Sequence, residues 1–270
     1  MEAVMQAIRE LTYPVRLSSA GLFALLSLVS APTLLGAGVK SPYTLDEAQA
    51  TALWEQGSNE LRKHGWLIDD PTTHTSVINE DLLLLIISAV NAELVVLSTW
   101  QNDSGRKYDV AYYEHGHTVV EMQMLGSLYE FTVLSNRNVA LQCFASHFEP
   151  AFPQAIKQPI QFQLTQEQAL AAKQNPDVQL LHTFGVSEIA AHQFAATLQK
   201  PRLYGTIDIL RTEATKVIES RIVGIILADT TAWIGFVTPD GLTDYHNVGE
   251  ADFINLLDQA MSDLNEINVR

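Results

Sequence analysis

Cysteine is almost absent: Cys143 stands alone in 270 residues. One thiol excludes an intrachain disulfide and cannot supply a cysteine-based zinc site, so a reducing compartment fits best. Basic residues are the second scarcity. Sixteen Lys and Arg face 31 Asp and Glu, for a formal net charge of −15. Nucleic-acid backbones and anionic membranes are held by clustered Lys and Arg, so neither suits this chain as a partner. Catalytic signatures are missing as well. There is no G-x-S-x-G, no P-loop, no G-x-G-x-x-G and no H-E-x-x-H.

Long apolar runs are limited to Leu17 to Val39, which follows Arg16 and carries no charge. A signal peptide or membrane helix has to be weighed there. Glu2 and Glu10 sit where a basic leader would be, and Pro32 with Gly21, Gly36 and Gly38 breaks the run. It reads as a buried helix capped by Ser18 or Ser19, reaching about Ser30, followed by a loop.

What is present is a succession of well-signalled elements. Thr44 to Glu47 (TLDE) reads as a capping box for a helix to Lys63, stopped by Gly65. Asn79 caps a helix from Glu80 to Val90, with Glu80 and Asp81 at its positive end. Strands follow at Glu93 to Trp100, Lys107 to Tyr113, Thr118 to Met124 and Tyr129 to Leu134, with a hairpin turn at His115-Gly116. Asn136 opens a helix to about Phe148. The segment 149–164, with three prolines, reads as a linker.

The second stretch repeats that order. Thr165 to Gln168 (TQEQ) is a capping box, and Asn175-Pro176 interrupts its helix. Ser187 caps a helix to Leu198. Strands follow at Arg202 to Leu210, Glu219 to Ala228, Ala232 to Val237 and Thr243 to Asn247. The strand Glu219 to Ala228 reads as a nearly unbroken apolar strand and is expected to be central and covered on both faces. Pro239-Asp240-Gly241 marks a turn, and Asn247 with Glu250 opens a last helix to about Leu264. Matching landmarks lie roughly 110 residues apart, the spacing of two fused halves rather than of a solenoid. The expected fold is α+β. Two pseudo-symmetric halves, 44–148 and 165–264, each put helices beside a four-stranded antiparallel sheet. Together they form one domain over 1–270 with a central sheet flanked by helices.

Candidate chemistry is thin. His115 and His117 share a strand face and could serve a metal, with His74, His147, His182 or His192 as a third ligand. Gly116 between them favours a solvated turn. Cys143 and His147 are one helical turn apart, as a nucleophile pair needs, but Val139, Ala140, Leu141 and Phe144 make Cys143 a core residue. Asp229-Thr230-Thr231 closes a strand and reads as a turn, since the parallel βαβ order that would make it catalytic is missing. The helices at 44–63 and 80–90 could imitate a helix-turn-helix, yet the second carries no Arg or Lys to approach phosphate. Strand aromatics remain: Tyr108, Tyr112, Tyr204, Trp233 and Phe236 are the candidate partner contacts, about half of them being needed for the core instead.

In layout, the chain resembles the EspG family of type VII (ESX) secretion-associated proteins. The likeness lies in LSSAGLFALLSLV, ELRKHGWLIDD, INEDLLLLIISAV, AELVVLSTW and RKYDVAYYEHGHTVVEMQM. It continues through KPRLYGTIDILR, RIVGIILADTTAWIGFVTPDG and the last acidic helix. The resemblance implies two pseudo-symmetric halves around a central sheet and a cytosolic chaperone of PE–PPE substrates. Such a chaperone needs neither cofactor nor catalysis and binds the hydrophobic tip of a helical secreted protein or protein pair. The glutamine-rich texture departs from that family, and no contact residue is carried over. Two other readings stand beside it: a metal-dependent enzyme centred on His115 and His117, and a structural module that forms a homodimer through an exposed sheet.

Overall fold

The computed structural model describes residues 12–70, 75–148, 152–153, 156, 158–213 and 215–266. The first stretch of chain forms β1 (Val15–Ser18), α1 (Ser19–Leu28), α2 (Glu47–His64), β2 (Leu67–Asp70), β3 (Thr75–Ile78) and α3 (Glu80–Val90). A meander follows: β4 (Leu94–Asn102), β5 (Lys107–His115), β6 (Thr118–Leu125) and β7 (Leu128–Leu134), then α4 (Arg137–Ser146). The rest forms β8 (Gln161–Thr165), α5 (Gln166–Gln174), α6 (Val178–Thr183) and α7 (Glu188–Gln199). It closes with β9 (Leu203–Glu213), β10 (Lys216–Leu227), β11 (Ala232–Val237), β12 (Leu242–Asn247) and α8 (Glu250–Glu266). The fold is α+β, with a ten-stranded antiparallel sheet in the order β1-β7-β6-β5-β4-β9-β10-β11-β12-β8 and a separate β2–β3 hairpin. Tertiary contacts divide the chain into two compact units.

The first unit comprises Met1–Val95, Val110–Arg137 and Thr212–Ile218. Its centre is α1, in which every residue from Ala20 to Leu26 is buried. Such an all-round apolar helix is stable only inside a core. It is ten residues long, and among the described residues no helix is long and apolar enough to cross a membrane. The loop after it is tied to the sheet by two phenols: Tyr113 donates to the Leu35 carbonyl at 2.5 Å and Tyr129 to the Ala37 carbonyl at 2.7 Å. Gly57 of α2 meets α1 so closely that a Cβ would lie 2.0 Å from the Ala20 oxygen. Glu60 of α2 then reaches the start of α1. The Ser18 amide donates to Glu60 Oε1 at 2.8 Å and the Ser18 hydroxyl donates to Oε2. A carboxylate at a helix N-terminus is favoured by the dipole, and bonds to a charged acceptor are the strong kind. Glu60→Ala is therefore expected to destabilise this unit by about 2 kcal/mol, read as a lowered urea midpoint.

The second unit comprises Val96–Asp109, Asn138–Arg211 and Glu219–Arg270. On one face of its strands, Phe194 of α7 packs edge-on to Phe162 and Trp233, with ring centres 5.1 and 5.2 Å away. Leu164, Ala172, Leu181, Ala190 and Ala191 complete that core. On the other side a second aromatic cluster joins Trp100, Phe144, Phe148, Phe152 and Phe253, with Phe152 stacked 4.5 Å from Phe253. Burial of these rings removes a large apolar area from water.

Several local expectations hold. Asn79 accepts from the Leu82 amide at 2.8 Å, Gly65 ends α2 at φ 75°, and Thr165 with Gln168 forms the capping box in both directions. Asn175-Pro176 does break the helix, and Asp177 caps the short one after it. Others are corrected. Thr44 is not the cap of α2: its hydroxyl donates to the Ser41 carbonyl in a turn, and Asp46 accepts from the Gln49 amide at 2.8 Å. Ser187 has the N-cap position of α7 but makes no side-chain cap bond. Asn247 does not cap α8. It accepts from the Ile160 amide at 2.7 Å and donates to the Gln158 carbonyl, fastening the incoming edge strand, while Asp252 receives the Gly249 amide.

The proposed linker ends in strand β8, which pairs with β12; residues 149–151, 154–155 and 157 lie outside the described residues. The helix-turn-helix arrangement is excluded because the β2–β3 hairpin separates α2 from α3. The long apolar strand β10 is central in sheet order but not covered on both faces. Val223, Ile225 and Leu227 are buried, whereas Ile222 is 49% exposed and Gly224 and Ile226 are only partly covered.

Candidate functional site

That uncovered face of β10 is the floor of a groove of about 790 Å³ within the second unit. Alternation and register define which residues share it. Gly224 faces Gly235, Ile226 faces Trp233, Gly235 faces Tyr245 and Val237 faces Thr243. Phe194 packs on Trp233, Phe162 and Tyr245 at one end of this face. Toward β10 the cover stops, leaving Ile222 and Val237 49% and 51% exposed. Tyr204 and Thr206 of β9, Thr99 and Gln101 of β4, Lys107 of β5 and Lys173 of α5 continue the lining.

Two of the mid-strand glycines in the lining, Gly224 and Gly235, have different reasons. A Cβ on Gly235 would meet the Tyr245 ring at 2.9 Å and Thr243 Cγ2 at 3.0 Å, so packing of β12 requires glycine there. A Cβ on Gly224 would meet nothing nearer than the Gly235 oxygen at 3.9 Å. No neighbour forbids a side chain at 224, and its absence leaves open floor.

Tyr204 forms one wall. It is 46% exposed, its hydroxyl donates to Gln101 Oε1 at 3.1 Å, and the Lys173 ammonium lies 5.5 Å above the ring. An aromatic platform held at both ends presents apolar area at little entropic cost on binding. Asp208 lies two residues beyond Thr206 on the same side of β9, and burial raises its carboxyl pKa. A raised folded-state pKa means that the ionised form is penalised at neutral pH and the penalty fades as pH falls through that pKa. Asp208→Asn is expected to raise the thermal midpoint slightly at pH 7, and the gap should close on acidification into the carboxylate range.

The other sequence-derived contacts are dispersed. Trp233 is 1% exposed and lies beneath the groove, with Nε1 donating to Thr197 Oγ1 at 3.2 Å. Tyr112 is buried and its hydroxyl donates to Glu121. Both serve the core, the alternative role that strand aromatics must share. Tyr108 stacks 5.4 Å from Trp100 under the Arg106 guanidinium. Phe236 packs edge-on to His246 in a second cleft of about 770 Å³ between α8 and the opposite strand face. The charged groups of that cleft have partners within the unit: Arg221 pairs with Asp263 at 3.1 Å and Glu219 with Arg211 at 3.1 Å, while His246 Nε2 lies 3.2 Å from Asp244 Oδ2. The structure therefore brings only Tyr204 and the base of Trp233 to the groove. Gly224, Ile222, Val237 and Lys173 were missed, although the mid-strand glycines of IVGIIL and WIGFV were a readable signal.

His115 and His117 flank Gly116, whose φ of 59° makes the turn, and His115 Nδ1 lies 3.1 Å from Glu93 Oε1. Among the described residues no group of three or more His, Cys, Asp or Glu could hold a metal ion; His74 lies outside them. Asp229 pairs with Arg202 at 2.7 Å, and Thr231 bonds Thr197 at 2.7 Å, the turn role expected of that segment.

No family model matches the chain, and no curated protein does. The architecture nevertheless has a known counterpart: it is the α+β, large-sheet fold of the EspG chaperones. One similar solved structure is that of the Mycobacterium tuberculosis type VII secretion system chaperone EspG5 in complex with a PE25–PPE41 dimer. The two superpose with a TM-score of 0.64 over 89% of this chain and 93% of that one, at 11% identity. At that identity the likeness establishes the fold.

Proposed function

We propose that this protein is a non-enzymatic, cytosolic chaperone or adaptor that binds a helical type VII secretion substrate. The observation that carries this reading is the open groove over Gly224, walled by Tyr204, Ile222 and Val237. An exposed, contiguous apolar trough on a rigid sheet suits a helix presenting an apolar stripe. The EspG5-like fold supports the same reading, because that protein is a type VII secretion system chaperone solved in complex with a PE25–PPE41 dimer. Co-expression with the helical protein or protein pair encoded beside its gene, followed by size exclusion with light scattering, is expected to yield one stoichiometric complex. Separate elution of the components would count decisively against it.

The chain is further read as one domain over 1–270 in which 44–148 and 165–264 repeat one plan across the linker 149–164. The first stretch runs through α2, the strands β2 and β3, α3, the four strands β4 to β7 and α4, and the second through α5, α6, α7, the four strands β9 to β12 and α8. The strand preceding each, β1 or β8, pairs with the fourth strand of its own meander, β7 or β12. A profile built from relatives in which the two stretches fail to align would remove this reading.

A further inference from the structure

The groove differs in charge from the rest of the molecule. The chain carries −15, yet the groove lining includes two lysines, Lys107 and Lys173, and no Asp or Glu. The arginines are largely neutralised inside the fold: Arg16 by Glu130, Arg62 by Asp69, Arg137 by Glu114, and Arg202 by Asp103 and Asp229. Lys107 and Lys173 are both exposed, and among the described residues neither is paired with a carboxylate. Lys173 is also positioned, since its ammonium lies over the Tyr204 ring that forms the groove wall. Carboxylates flank the site without entering it: Asp109 accepts the Thr99 hydroxyl at 2.8 Å, and Asp208 sits further along β9.

Resting on the reading of the groove as a helix-docking site, we propose that its occupant is a partner helix whose apolar stripe is bordered by carboxylates. The apolar stripe covers Tyr204, Ile222 and Val237, and the carboxylates meet Lys107 and Lys173. The long-range field of an acidic protein opposes an acidic partner, but it is screened within about 8 Å at physiological salt. Contact pairs at the groove are closer than that and decide the preference, so the lysines act as a specificity filter more than as a source of affinity.

Three synthetic helical peptides with the same leucine stripe, bordered by Glu, by Gln or by Lys, test this by fluorescence anisotropy on the full-length protein. The Glu peptide should bind about three- to tenfold tighter than the Lys peptide, and added salt should shrink the difference. The double variant Lys107→Glu, Lys173→Glu should reverse the order, and both positions are exposed, so its fold should be unaffected. Equal affinity for all three peptides, or an order unchanged in the double variant, overturns the charge inference and leaves the groove reading intact. Failure of every peptide to bind overturns both. A homodimer formed without peptide and dissolved by the double variant would place a second copy of this chain in the groove, overturning the proposal as well.

Discussion

Gly57→Ala should destabilise the first unit by about 3 kcal/mol, among the largest losses available to a single methyl group in this protein. Helix propensity alone predicts the opposite sign, since Ala in a helix interior is favoured over Gly by about 1 kcal/mol. The tertiary contact wins. The new Cβ would lie 2.0 Å from the Ala20 oxygen, 2.6 Å from its carbonyl carbon and 2.8 Å from the Ala24 Cβ. Two of those atoms are backbone at Ala20, in the buried stretch of α1, and have no rotamer to yield. The two helices must separate, which opens the core around Leu22, Leu25 and Leu61. Chemical denaturation followed by circular dichroism checks this, with Gln56→Ala on the exposed side of the same helix as the control. A stability equal to or above that of the parent would show that the α1–α2 approach is looser than described.

Gly224→Trp should abolish partner binding, with affinity falling at least 100-fold, or about 2.7 kcal/mol, while the fold is retained. A Cβ at 224 would meet only the Gly235 oxygen at 3.9 Å, so an indole placed there is expected to extend over the floor between Ile222 and Ile226. The groove is then filled by the protein itself. Gly235→Ala is the informative contrast. Its methyl group drives into the Tyr245 ring, so it should lower the melting temperature first and impair binding only as a consequence. Titration calorimetry with the purified partner, alongside melting curves of both variants, separates the two effects. Full-strength binding by Gly224→Trp would place the partner site elsewhere.

The parts of the fold legible in the sequence are those governed by neighbours in the chain. Asn79, Thr165 with Gln168, Gly65 and Pro176 mark helix ends through hydrogen bonds or steric limits spanning three or four residues, and they appear where expected. Thr44 failed because two residues, Thr44 and Asp46, competed for one cap, and the local turn to Ser41 occupied the threonine. The edge strands β1 and β8 were invisible. VRLS and QFQLT are too short and too polar to show a period, and their extended form is supplied by pairing with β7 and β12.

The candidate site was only partly legible for the same reason. Tyr204, Trp233 and Phe236 look alike in the sequence: each is an aromatic on an apolar strand. Their fates were set by what lies over them: little over Tyr204, Phe194 over Trp233, and His246 beside Phe236. The sequence by itself determined the α+β composition, the order of the main helices and of the two runs of four strands, and the lack of a known catalytic motif. Tertiary structure alone decided that β10 would have one open face and that Lys173 would stand over Tyr204. Caps and turns are short-range bonds written within a few residues, whereas the exposure of a sheet face depends on where distant helices come to rest.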